Sequence, residues 1–244
     1  MFTNKVNAPE EPSTDQRRRR GRPPGTTAQG QEARRRLYET AIELIGRKGY
    51  ESTTLRDIAE AAGVSVGLLY KYFPSKRAVV RAFYDELSAE YAARASTMKA
   101  GKWRDRFGFA LRTCLDVLGP YRRTLSSLAP ILVADPEEGL FAPRTVFSRR
   151  RVEQVFQDAV TGASDAPARN LSEPLGRLLY LLHLAVILWW LLDKSPKQRA
   201  TQGLVGLLER ILPSFGMALL LPQVRGFVRS AGDLARQALF HEAL

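Results

Sequence analysis

The sequence predicts an all-α fold on three observations. Apolar residues recur three and four positions apart along most of its 244 residues, the spacing that lines one side of a helix. Ser or Thr before such runs and Gly or Pro after them supply helix start and stop signals at short intervals. No segment alternates apolar and polar residues in the manner of a half-buried strand, and no internal repeat is present.

In chain order, residues 1–28 are rich in Pro, Thr, Asn, Gln and Arg with almost nothing to bury, the composition of a disordered basic arm. From Arg34 the apolar positions Leu37, Ala41, Leu44 and Ile45 predict a first helix, with Gly49 where it stops. Thr54 followed three residues later by Asp57 fits a capping box that starts a second helix near Leu55. Gly63 suits a left-handed turn, and Ser65 can cap a third short helix through Tyr72 that Pro74 closes. Ser75 can cap a fourth helix running through Val79, Phe83, Leu87 and Tyr91 to about Met98. The remainder reads as further helices broken at Gly101, Pro120, Pro136, residues 162–167, Pro196, Pro213 and Pro222. The expected domains are the arm 1–28, a helical domain at 29–80 and a larger helical domain at 81–244.

Composition excludes several classes of function. One cysteine, Cys114, permits neither an intrachain disulfide nor a cysteine-built zinc site, and the expected compartment is reducing. His183 and His241 lie far apart, with no acidic or thiol cluster around either, so neither a metal site, a cofactor nor an enzyme is expected. Residues 1–15 contain no apolar core of a signal peptide. The apolar run Leu178 to Leu192 is 15 residues long with His183 inside it, short of the roughly 17 to 25 residues of a spanning helix. It reads as a buried helix, which makes the protein cytoplasmic with no membrane partner.

The net charge of +12 is unevenly placed: residues 1–80 carry 15 basic and 9 acidic side chains, half of the excess in a third of the chain. Eight arginines fall between Gln16 and Arg36 against the single acid Glu32, a density that favours a polyanion. Helices two and three, joined at a Gly turn behind a preceding helix, describe a helix-turn-helix, whose second helix enters the major groove of DNA. Ala61 and Ala62 would let the helices cross closely, with Ile58, Val64 and Leu69 as the small core between them.

The run from Gly49 to Ala59 (GYESTTLRDIA), followed by Ala62 to Lys76 (AGVSVGLLYKYFPSK), resembles the DNA-binding domain of TetR-type transcriptional regulators over about residues 33–86. The resemblance implies a homodimer that binds a palindromic operator through its N-terminal helices and a small, largely apolar effector through its C-terminal domain, most commonly as a repressor. It implies phosphate contacts from Thr54, Tyr70 and Lys76, and base reading by Val64, Ser65, Val66, Leu68 and Tyr72. Gly67 would let the backbone approach a phosphate, and Lys71 stands beside Tyr70 on either a DNA-facing or a merely solvated face. Arg20-Gly21-Arg22-Pro23 is similar to an AT-hook, with Arg20 and Arg22 entering a narrow minor groove; a generic phosphate-attracting tail is the other reading. An architectural DNA-binding protein without an effector remains the alternative function.

For residues 81–244 the resemblance implies a dimer interface from late helices, about 175–193 and 197–212. Candidate pocket residues, each a polar or aromatic handle on an apolar background, are Tyr121, Phe141, Phe147, Arg151, Tyr180, His183 and Trp189. His183 reads equally as a core histidine, and Cys114 as a small core hydrophobe.

Overall fold

A computed structural model describes residues 28–240, which form ten α-helices linked by loops and short 3-10 turns, with no strand among the described residues. The arm, with Arg20 and Arg22, and His241 lie outside them. Helix α1 spans Ala28–Lys48, beginning earlier than the expected start at Arg34. Its first turns are held by Arg35, which bonds to Glu32 and Glu39 at 2.9 Å each, a support that a search for apolar periodicity does not register.

Helices α2 (Leu55–Ala61) and α3 (Val66–Tyr72) form as expected. Asp57 N donates to Thr54 Oγ1 at 3.1 Å and Thr54 N donates to Asp57 Oδ2 at 3.0 Å, the two halves of the capping box. The turn between them closes in a Schellman arrangement: Gly63, at φ +65°, donates to the Glu60 carbonyl, and Val64 N donates to the Ala59 carbonyl. Ser65 Oγ accepts from Leu68 N and caps α3. Ala59 and Ala62 are the small buried residues at this crossing. Ala61, expected there, is exposed, because one helical step turns it to the opposite side.

Helix α4 (Lys76–Ala95) stops three residues short of Met98. Ser96 and Thr97 hydroxyls donate to the Ala93 and Arg94 carbonyls at 2.7 and 2.8 Å, so side chains take over the last acceptors. Beyond it lie α5 (Trp103–Leu118), α6 (Arg122–Ala134), α7 (Val146–Thr161), α8 (Arg169–Leu192), α9 (Arg199–Ala218) and α10 (Pro222–Leu239). Pro213 lies inside α9 and does not break it. Packing holds the last turn of α9 in place, with Phe215 edge-on to Trp103 at 6.3 Å.

One apolar core runs through the described chain. Leu37, Ile45, Ile58 and Leu69 fill the N-terminal end, and Val79, Phe83, Leu87 and Tyr91 of α4 carry it on to Phe107, Phe156 and Tyr180. Helix α6 lies against α1: a Cβ on Gly46 would sit 2.7 Å from Thr124 Oγ1, and that hydroxyl donates to the Ile42 carbonyl. Helix α8, at 24 residues, is long and apolar enough to cross a membrane by length and composition. Helices α7 and α10 pack along it, burying Leu175, Leu179, Tyr180, His183 and Val186. Gly232 of α10 sits so close that a Cβ there would meet Pro174 Cβ at 2.6 Å.

Candidate nucleic-acid interface

The geometry of α3 follows from its burial pattern. Leu69 and Phe73 point into the core, which turns Ser65, Val66, Gly67, Tyr70 and Lys71 outward together. Tyr70 is 52% exposed, and the region around Gly67 is open. Ser65 Oγ and Thr54 Oγ1 are both acceptors in their caps, which leaves each hydroxyl proton free to donate to a phosphate oxygen. Thr54 stands at the exposed start of α2, where backbone N–H groups already favour an anion.

Three expected contacts take different positions. Val64 and Tyr72 are half-buried and pack against the core, because Val64 sits inside the Schellman turn and Tyr72 on the last turn of a short helix. Lys71 Nζ lies 5.9 Å from the centre of the Tyr72 ring, so Tyr72 positions a cation more directly than it offers an edge to a base. Lys76 Nζ donates to the Tyr50 carbonyl at 2.5 Å and lies 4.0 Å from the Tyr50 ring centre. Its ammonium braces the link after α1, with donor capacity left for a phosphate. Leu68 is half-buried on the same outward side.

Positive charge at this end is partly spent within the protein. Arg35 pairs with Glu32 and Glu39, Arg47 with Glu43, and Arg77 with Asp135. Arg34 lies over the Phe73 ring at 5.4 Å, behind α3. Asp57 is held below the usual carboxylate range by its hydrogen bonds with Thr54, so the cap stays charged at neutral pH.

The link between this end and the rest of the chain was not legible in the sequence. Tyr50 N donates to Ser127 Oγ of α6 at 2.7 Å while its carbonyl takes the Lys76 ammonium. Tyr50 thus joins α1, α4 and α6 in one knot. Leu125 and Leu132 of α6 and Leu87 and Tyr91 of α4 also line a cavity of about 140 Å³ deeper in the molecule.

Of the expected pocket residues, only Tyr180 lines that cavity. Phe147 and Trp189 face outward, 68% and 49% exposed, since their helices turn other residues inward. Arg151 donates to the Asp85 carbonyl and carboxylate and to Ser88 Oγ, bracing α7 against α4. Tyr121 packs edge-on to Phe83 at 5.3 Å, and Phe141, edge-on to Phe240 at 5.7 Å, lines an adjoining hollow that shares Leu132, Leu140, Leu184, Ile187 and Leu191 with that cavity. His183 is a buried core residue with Nε2 3.1 Å from Cys114 Sγ. Burial pushes its pKa down to about 3 and raises that of the Cys114 thiol.

Residues 37–83 match the family model of bacterial regulatory proteins, tetR family. The chain is 40% identical over 74 residues to the HTH-type transcriptional repressor KstR2 of Rhodococcus jostii, a match covering 28% of this chain and 36% of that protein. It is 44% identical over 52 residues to the HTH-type transcriptional repressor KstR of Mycolicibacterium smegmatis, covering 21% and 25%. The matched segments thus span about a third or less of these relatives' lengths. A tetR-family transcriptional regulator from Streptomyces coelicolor has a similar fold, with a TM-score of 0.58 at 20% identity over 84% of this chain and 89% of that one.

Proposed function

We propose that this chain, whose residues 37–83 match the family model of bacterial regulatory proteins, tetR family, is a DNA-binding transcriptional regulator acting as a homodimeric repressor of a palindromic operator. The observation that carries this reading is the outward face of α3, where Ser65, Val66, Gly67, Tyr70 and Lys71 stand clear of a core made by Leu69 and Phe73. A short helix supported from behind by two others is the element that lies in a major groove.

In this reading Thr54, Tyr70 and Lys71 hold phosphates, and Lys76 does so with the capacity left after bracing Tyr50. Ser65, Val66 and Leu68 face base edges, where apolar side chains suit thymine methyl groups. Residues 29–80 form the DNA-binding domain and 81–244 the effector and dimer domain, with α4 crossing between them. The uncovered apolar residues of α8 and α9, including Leu188, Leu192, Leu207 and Ile211, support pairing of two subunits through these helices. Two heads one helical turn apart, about 34 to 36 Å, then meet successive major grooves.

A small apolar effector in the α4–α8 cavity releases DNA by preferring a different separation of the heads. Helices α4 and α6 both reach from the cavity to the Tyr50 knot and carry the change. Such a regulator works in the cytoplasm, where bacterial operators lie.

The test is selection of genomic fragments by the purified full chain at near-physiological salt. Enrichment of a few inverted repeats is the expected result. Broad A·T-rich enrichment without a repeat would replace this reading with an architectural one.

A further inference from the structure

Helix α8 is covered unequally along the line of residues that points away from the core. Leu179, His183, Val186 and Trp190 face inward and are buried. Pro174, Ala185 and Leu192 share the opposite line, Pro174 and Leu192 standing about five turns apart. In the first half of the helix α10 closes that line: a Cβ on Gly232 would meet Pro174 Cβ at 2.6 Å, and Arg177 donates to the Gly232 carbonyl. In the second half the line is bare, with Ala185 exposed and Leu188 and Leu192 at 44% and 67% exposure. Beside it, between α6 and α8, opens the apolar hollow of about 230 Å³ whose lining includes Val133, Ala185 and Leu188.

Helix α10 carries a surface that matches. Val228 and Gly232 are its buried residues. Arg225, Arg229 and Arg236 fall on one flank of that buried line. Phe227, Ala231, Leu234 and Ala238 fall on the other, at steps of four and three that keep them in one stripe. Phe227 and Leu234 are 68% and 65% exposed. The positions that point furthest outward, Gln223, Ser230 and Gln237, are uncharged.

Charge and shape select what covers these surfaces. The chain carries a net charge of +12, so two copies repel wherever their cations meet. Neither residues 185–192 of α8 nor the α10 stripe contains a charge, which lets these two surfaces approach. A helix lying on an anionic lipid surface carries its cations across the polar face, whereas Gln223, Ser230 and Gln237 occupy that face here. Each copy thus has one bare half of α8 and one unused α10 stripe, and a two-fold axis satisfies both pairs at once.

We infer that α10 of a second copy covers the bare half of α8, its stripe lying on Ala185, Leu188 and Leu192 and its Phe227 ring seated in the hollow beside Val133. A cavity of about 150 Å³ holds benzene, so the hollow has room for that ring, and an aromatic anchor in an apolar pocket is the usual centre of a stable interface. The inference rests on the homodimer reading above and goes beyond it by making α10, not α8 and α9 alone, the element that each subunit lends to the other.

Cross-linking between two single-cysteine variants of the full chain tests this. Leu188→Cys and Phe227→Cys, carrying different tags, are co-expressed and treated with a short bismaleimide. Cys114 is buried and its thiol pKa is raised by burial, which keeps it out of the reaction. A covalent dimer joining one chain of each tag is the expected product, at least fivefold more abundant than links between like chains. Phe227→Asp with Leu234→Asp, both exposed positions whose change spares the core, should weaken self-association at least tenfold in sedimentation analysis. A chain that sediments as a dimer but forms no mixed link would overturn this seating and leave the homodimer reading standing, whereas a monomer would overturn both. If a cysteine variant fails to fold, the aspartate pair decides, and unchanged self-association would overturn the inference. Flotation with phosphatidylglycerol vesicles that the aspartate pair abolishes would also overturn it, assigning the stripe to a lipid surface.

Discussion

Tyr70 and Lys76, both expected to hold phosphates, differ in how well they serve as probes. Tyr70 makes no contact that the fold requires, so Tyr70→Ala should leave stability within about 0.5 kcal/mol of the parent. Its DNA affinity should fall evenly across sequences if it holds a phosphate, while the slope of log affinity against log salt stays as in the parent, because a neutral phenol displaces no counterion. Fluorescence anisotropy at several salt concentrations measures this, and an unchanged affinity would remove Tyr70 from the interface. Lys76 is a poorer probe because its ammonium also braces the Tyr50 carbonyl. His183 gives a pH prediction. The unfolded chain takes up its proton near pH 6.5, whereas the buried ring does so only at about 3. Between those values the unfolded state binds the extra proton, so stability should fall as pH drops, by up to about 1.4 kcal/mol per unit. Urea melts of the parent and His183→Gln from pH 7 to 4 check it; identical pH profiles would contradict it.

At the scale of elements, the packing of α10 on α8 has a sharp test. Gly232→Ala would drive a Cβ onto Pro174, and such overpacking costs about 1–3 kcal/mol. A thermal melt should show the loss, while Gly226→Ala, with open space around it, should cost little. The legibility of the elements has a similar division. Local chemistry announced α2 and α3, because the Thr54–Asp57 box, Gly63 and Ser65 each act within a few residues. The start of α1 rests on Arg35 ion pairs and the survival of α9 through Pro213 on contacts with α5, neither visible as apolar spacing. The candidate site divides in the same way. The DNA-facing residues of α3 came from the resemblance to TetR-type regulators, with Leu69 and Phe73 read as core. Seven pocket candidates chosen for having a polar handle yielded one cavity residue, Tyr180, because facing depends on which of six helices covers each side. Tyr91 was hidden for the same reason: in sequence it is an ordinary core position of α4.

At the scale of the whole molecule, the account requires two heads held at a fixed spacing. Leu207 and Ile211 of α9 are 47% and 52% exposed, and one face of such residues needs a cover. Leu207→Asp with Ile211→Asp should convert the proposed dimer to monomer in sedimentation analysis and lower operator affinity at least tenfold. A variant that still sediments as a dimer would place the interface elsewhere. The same pairing makes operator geometry the most direct test of the central claim. The full chain should be titrated against an enriched inverted repeat and against the same repeat with five base pairs inserted between its halves. Five base pairs is about half a helical turn, which puts the second half-site on the opposite side of the duplex. The account predicts at least a tenfold loss of affinity for the inserted site, and equal affinity for the two would contradict it.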